Sequence, residues 1–227
     1  NKAFPIGGGL WTRIDPLDGP TAPDTSWNWK SALSRMPERT APALGRQSNH
    51  VRMEVDVPAG ASGVLYALGG ASGGVSLFLE NGYLNYEYNL FIIERYRGRS
   101  SQPLPAGRHV IEVDTRVGQV RGPATVVISV DGVVVATVAV ARTSSGAFTA
   151  GETFDLGVDL GSPVATEYHE KAPFPLNGVI RDVAIRYGSN QTPSPVPAVN
   201  PTTACLTNLS ARGFVPAGGG LYSGFIA

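Results

Sequence analysis

The chain has 227 residues, 42% of them hydrophobic and 16% charged, with 18 basic and 18 acidic side chains that cancel formally. A balanced charge without a basic stripe gives no footing for phosphate-driven nucleic-acid binding. No apolar run reaches the roughly 18 residues of a membrane span. Gly (28) and Pro (18) together make about a fifth of the chain, which suits a turn-dense β protein rather than a helical one. The single cysteine, Cys205, forbids an intrachain disulfide. Asn1 stands where an initiator Met or a signal peptide would begin, so the expectation is a processed or excised piece.

Taken in order, residues 1–49 read as an irregular arm. Gly7-Gly8-Gly9, Asp15-Pro16, Gly19-Pro20, Pro37 and Pro42 interrupt any long helix, and Trp11, Trp27 and Trp29 are expected to anchor the arm on a core. From residue 50 strand signals follow one another. Val51, Met53, Val55 and Val57 alternate with His50, Arg52, Glu54 and Asp56, the pattern of a half-buried strand. The runs 63–70 and 74–80 come next, joined by the glycine-rich 69–74, which reads as a tight strand-to-strand turn. Asn81-Gly82 and Asp131-Gly132 predict two-residue hairpins, because both central positions need positive φ. The runs 83–89, 90–97, 108–115, 123–130, 133–140, 153–159 and 179–187 complete the set.

About ten short strands and no helix predict an all-β antiparallel β-sandwich of jelly-roll, concanavalin A-like form over 50–188. Its expected core includes Val51, Val55, Leu77, Leu79, Ile111, Val113, Val127, Val130, Val134, Ile180 and Ile185. Residues 189–203 read as a Pro-rich linker, about 45 Å long if extended at roughly 3.1 Å per residue. Residues 204–227 read as a short β tail or the start of a truncated module. There Leu221, Phe225 and Ile226 are assembly candidates, since an apolar strand on a tether can pair with a neighbouring copy.

Several strings carry a family likeness. FPIGGGLW (4–11), SRMPERTAPALGRQSN (34–49), GVLYALGGASGGVSLFLENG (63–82), YEYNLFIIERY (86–96), LPAGRHVIEVD (104–114) and ETFDLGVDLGSPV (152–164) follow one another as in the C-terminal region of long bacterial arylsulfatases. The chain over residues 3–187 resembles that region. The resemblance implies a non-catalytic sandwich that packs on a sulfatase catalytic domain, and a secreted or cell-surface location. The nucleophile of that family arises in a C/S-x-P-x-R motif, and Cys205 sits in ACLTNL instead. The expectation is therefore no catalytic residue in this chain. The tail LTNLSARGFV with YSGFIA resembles the opening of short β-repeat modules of bacterial surface proteins, although PAGGGL departs from that pattern.

Two constellations are candidates for binding. Glu152, Asp155 and Asp159, among Gly157, Gly161 and Ser162, form the best oxygen-ligand set, with calcium as the candidate cofactor. The alternative is strand-end acids that satisfy loop amides. Tyr86, Tyr88, Arg95, Tyr96 and Arg97 offer rings and guanidinium groups for a glycan or for docking on a catalytic domain, although alternation divides them between two faces. His50, His109 and His169 lack any zinc-ligand spacing. Three functions stay open: an accessory domain of a sulfatase, a subunit that assembles with copies of itself through its C-terminal strand, and a carbohydrate-binding module.

Overall fold

A computed structural model describes residues 26–188. Trp11, Cys205, the linker 189–203 and the tail with Leu221, Phe225 and Ile226 lie outside the described residues.

The alternating strands expected from the sequence form two six-stranded antiparallel sheets. One, here sheet A, orders β1 (Ser26–Trp29), β12 (Val179–Tyr187), β3 (Asn49–Val57), β8 (Gly107–Val117), β9 (Ala124–Val130) and β10 (Val133–Val140). The other, sheet B, orders β2 (Leu33–Pro37), β11 (Thr153–Leu156), β4 (Gly63–Gly70), β5 (Gly73–Glu80), β6 (Tyr83–Leu90) and β7 (Glu94–Arg99). Their facing side chains make one core. Val51, Met53, Val55, Ile111, Val113, Val126 and Ile128 of sheet A meet Leu65, Leu77, Leu79, Leu84, Tyr86, Tyr88 and Phe154 of sheet B, all within 2% exposure. Both glycine hairpins form as expected: Asn81 and Gly82 sit at φ 50 and 83, Asp131 and Gly132 at 51 and 82.

Where the structure departs from expectation, the reasons are local. Residues 26–29 and 33–37 are outer strands, one in each sheet, so the sandwich takes in part of the segment expected as an arm. Trp27 and Trp29 pack half-buried on the core through β1. The run 90–97 is not one strand: Phe91–Ile93 is a turn between β6 and β7. Val127 points outward because its neighbours Val126 and Ile128 take the inner face. A bulge between Val134 and Ala136 turns Val134 into solvent, at 59% exposed.

The two outer faces differ, and this difference locates the candidate sites. Residues 157–177 cross the outer face of sheet B as a strap containing a short 3₁₀ segment, Thr166–Lys171. Val164, Ala165, Tyr168 and Phe174 of the strap bury Val64, Ala67 and Phe78 in a second, smaller core. Strands β4 and β5 are thus buried on both sides, which explains their nearly unbroken apolar runs, whereas β3 and β8 alternate strictly because the outer face of sheet A is in water.

Candidate functional site

Antiparallel register aligns the outward side chains of sheet A in rows. One row runs Asn28, Ala184, Arg52 and Glu112; the next runs Ser26, Arg186, His50 and Asp114. Ala184 is the small residue in the first row. The longer side chains around it leave an open groove of about 470 Å³, lined by Ser26, Asn28, His50, Arg52, Glu112 and Arg186 together with Trp27, Ala184 and Ile185. Arg52 donates to Glu54 at 2.8 Å, and His50 Nε2 stands 3.4 Å from a Glu112 oxygen. Arg186 is exposed on the groove wall, and its guanidinium makes no hydrogen bond or ion pair among the described residues. The site is thus a shallow, water-facing trough that offers guanidinium, imidazole, amide and hydroxyl groups beside the Glu112 carboxylate. The spacing of these residues on four strands gave no local sequence signal; only the neighbouring order β1-β12-β3-β8 brings them together.

The Tyr–Arg set of β6 and β7 does not form a binding platform. Tyr86 and Tyr88 face the core and are each 2% exposed. Tyr88 donates its hydroxyl proton to the Gly45 carbonyl at 2.6 Å and accepts from the Ser144 amide at 2.8 Å. The Tyr96 ring meets that of Tyr88 edge to face, centroids 6.2 Å apart. Arg95 and Arg97 lie on the opposite face, where both bind the buried Glu87 carboxylate. Arg95 also donates to the Val164 carbonyl at 3.0 Å, and Arg97 to the Thr166 hydroxyl at 2.7 Å. Burial first, and then the neighbouring Glu167, push the Glu87 carboxyl up to about 7, against the pull of Arg97. These groups fasten the strap to sheet B. The period-2 alternation that divides the tyrosines from the arginines is the physical reason.

The three acids of the calcium candidate are each occupied by donors of the chain. Glu152 Oε1 accepts from the Ser162 hydroxyl at 2.6 Å. Asp155 accepts from the Arg35 amide at 2.5 Å and the Thr153 hydroxyl at 2.9 Å. Asp159 Oδ2 accepts from the Tyr168 hydroxyl at 2.6 Å and the Val164 amide at 2.9 Å. Burial pushes the Asp159 carboxyl up to about 6. Among the described residues no group of three or more His, Cys, Asp or Glu side chains converges on a metal position. The arrangement is the alternative that the sequence left open, acids that satisfy loop amides and hydroxyls.

Among the histidines, His109 is held on both ring nitrogens, by Asp131 at 2.7 Å and the Pro105 carbonyl at 3.0 Å. Among the described residues no helix is long and apolar enough to cross a membrane.

No protein-family model and no curated protein matches the chain. Among solved structures, the sialidase CBM40 module of Ruminococcus gnavus, bound to α2,6-sialyllactose, superposes with a TM-score of 0.50 at 11% identity, over 74% of this chain and 93% of that one. The same module without ligand gives 0.50 at 10% identity, over 74% and 92%. Domains LG4–5 of the mouse laminin α1 chain give 0.47 at 13% identity, over 73% of this chain and 41% of that one, so this chain spans less than half of the laminin pair. At these identities the likeness shows the fold: a two-sheet antiparallel sandwich of the class to which the Ruminococcus module belongs.

Proposed function

We propose that this sandwich is a non-catalytic glycan-binding module of an extracellular protein, and that its ligand is an oligosaccharide carrying a carboxylate. The observation that carries this reading is the groove on sheet A. At about 470 Å³ it lies within the roughly 300–1,000 Å³ of ligand sites. Its lining of Asn28, His50, Arg52 and Arg186 can donate hydrogen bonds to hydroxyls, and Arg186 is exposed with its fork unpaired among the described residues, available to a carboxylate. The opposite sheet is closed by its strap, so among the described residues sheet A is the face open to a ligand. The sialyllactose carried by the Ruminococcus module supports the same class of ligand for this fold.

The test is binding of the purified chain to an array of neutral and acidic glycans, repeated with Arg186→Ala and with Ala184→Trp, which fills the groove floor. Retention of acidic glycans by the wild type, and loss of at least about tenfold in either variant, supports the reading. Absence of any glycan binding, or equal binding by Ala184→Trp, overturns it.

The serial arylsulfatase-like strings favour a second reading, in which the same sandwich is carried beside a sulfatase catalytic domain. Intact-mass measurement on the protein in its source would test this by revealing whether such a domain shares the polypeptide.

A further inference from the structure

Among the described residues, three hairpin turns place both central residues at positive φ. Two are built from Asn81-Gly82 and Asp131-Gly132, as the conformation demands. The third is Phe91-Ile92, at φ 52 and 66, between β6 and β7, with the Ile93 amide closing onto the Leu90 carbonyl at 3.0 Å. A β-branched residue in this region is a strained choice. The conformation is held in place by Asn89, which is fully buried: its Oδ1 accepts from the Ile92 amide at 2.9 Å and its Nδ2 donates to the Ala71 carbonyl at 3.0 Å. The strain brings three apolar side chains into water, with Phe91, Ile92 and Ile93 being 39, 64 and 74% exposed.

The charges nearest this tip are Glu94 and Arg142, which pair with each other at its base. The Phe91 ring rests on Phe148, centroids 5.9 Å apart, and on Gly73. Both neighbouring loops, 70–73 and 143–151, consist of Gly, Ala, Ser, Thr and Phe148. Loop 143–151 is tied in turn to the 118–123 loop through the Thr143 amide and hydroxyl, which donate to the Gly122 carbonyl at 2.9 and 3.0 Å. That loop adds Val120, 68% exposed, beside Arg121. This end of the sandwich therefore presents apolar points between largely uncharged loops, with Arg121 and the Arg142–Glu94 pair as its charged groups.

We propose that the Phe91–Ile93 tip, with Val120, is a membrane contact that dips into the interfacial region of a lipid bilayer. The area decides against a protein partner. The three side chains expose roughly 300 Å², against about 800 Å² per partner in a stable protein interface. A convex tip gains from a deformable apolar medium in proportion to depth, without matching a partner's shape. The uncharged loops behind it would lose little on approaching the headgroups. This contact stands apart from the sheet A groove and does not depend on a glycan.

The experiment is co-sedimentation of the full chain with phosphatidylcholine vesicles, free of glycolipid, with and without phosphatidylserine. The comparison variant is Phe91→Asn/Ile92→Gly, which restores the turn chemistry of the other hairpins. The wild type is expected to sediment with both vesicles. The variant is expected to bind about tenfold less and to melt about 3 °C higher, because it loses apolar area and relieves strain. An Ile92→Trp variant should show blue-shifted emission on adding vesicles. No wild-type binding to either vesicle, or undiminished binding by the Asn-Gly variant, overturns the proposal. Sedimentation without vesicles that the variant abolishes would assign the tip to a second copy of the chain and would also overturn it.

Discussion

Replacing Asp159 by asparagine separates the cost of a buried charge from the value of its hydrogen bonds. Asp159 is 1% exposed within the strap, and Oδ2 accepts from Tyr168 and Val164 with no cationic partner in contact among the described residues. Burial is the largest influence on its carboxyl, and Asp155 and Glu152 add to it, so that its pKa rises from an ordinary 3.8 to about 6. A difference of about 2 pH units corresponds to about 3 kcal/mol. The folded state holds this proton more tightly than the unfolded chain does. The resulting stability is complete below pH 3.8 and is lost as pH rises through about 6. The amide side chain of Asp159→Asn can accept the same two hydrogen bonds and cannot ionise. Urea midpoints at constant m, taken from pH 8 to 4 for both proteins, give the difference in stability. The surface carboxylates and Glu87 are common to both and cancel in that difference. On acidification across this range the wild type should gain about 2 kcal/mol relative to Asp159→Asn, most of the full effect. A difference flat to within about 0.5 kcal/mol, or one that changes in the opposite sense, would refute the reasoning. Calcium gives a second arm. If added calcium raised the wild-type midpoint and not the variant's, these acids would be metal ligands rather than loop clamps.

Two further substitutions test the packing. Glu38 is 8% exposed and accepts from the Phe148 amide and from the amide and hydroxyl of Thr149 at 2.5, 2.9 and 2.9 Å. Glu38→Ala should cost about 2–4 kcal/mol by chemical denaturation, and a loss below about 0.5 kcal/mol would show that the loop holds without it. At Gly98 a Cβ would meet a Val138 methyl at 2.4 Å, where β7 crosses β10. Gly98→Val should destabilise by about 1–3 kcal/mol in thermal melts, and an unchanged melt would mean that the two edges do not meet.

Much of the fold was legible because the signals were local. Asn81-Gly82 and Asp131-Gly132 announce their turns, and the strict alternation of β3 and β8 records one wet face and one dry face. The unbroken apolar run Gly63–Gly70 also carried information, since it marks a strand covered on both sides, but a run of that kind does not say what covers it. The strap that covers it has no period and contains only a short 3₁₀ segment, so its packing through Tyr168 and Phe174 could not be read in advance. The turn at Phe91-Ile92 was hidden for the opposite reason. Its residues favour strands, and the conformation is imposed by the buried Asn89 rather than by their own preference. Proximity in sequence was a poor guide to the binding site. Tyr86, Tyr88, Arg95, Tyr96 and Arg97 are neighbours along the chain, yet the pleat sends the rings inward and the guanidinium groups to Glu87. The groove residues Asn28, the His50 and Arg52 pair, and Arg186 come from three distant stretches of the chain and meet through strand pairing.

The central claim, an acidic-glycan site on sheet A, is tested most directly by backbone NMR titration of the chain with α2,6-sialyllactose and, separately, with lactose. Saturable shifts with the acidic sugar at Asn28, His50, Arg52, Ala184 and Arg186, and weaker ones with the neutral sugar, are the result predicted. Shifts confined to other residues, or none at any sugar concentration, would contradict it.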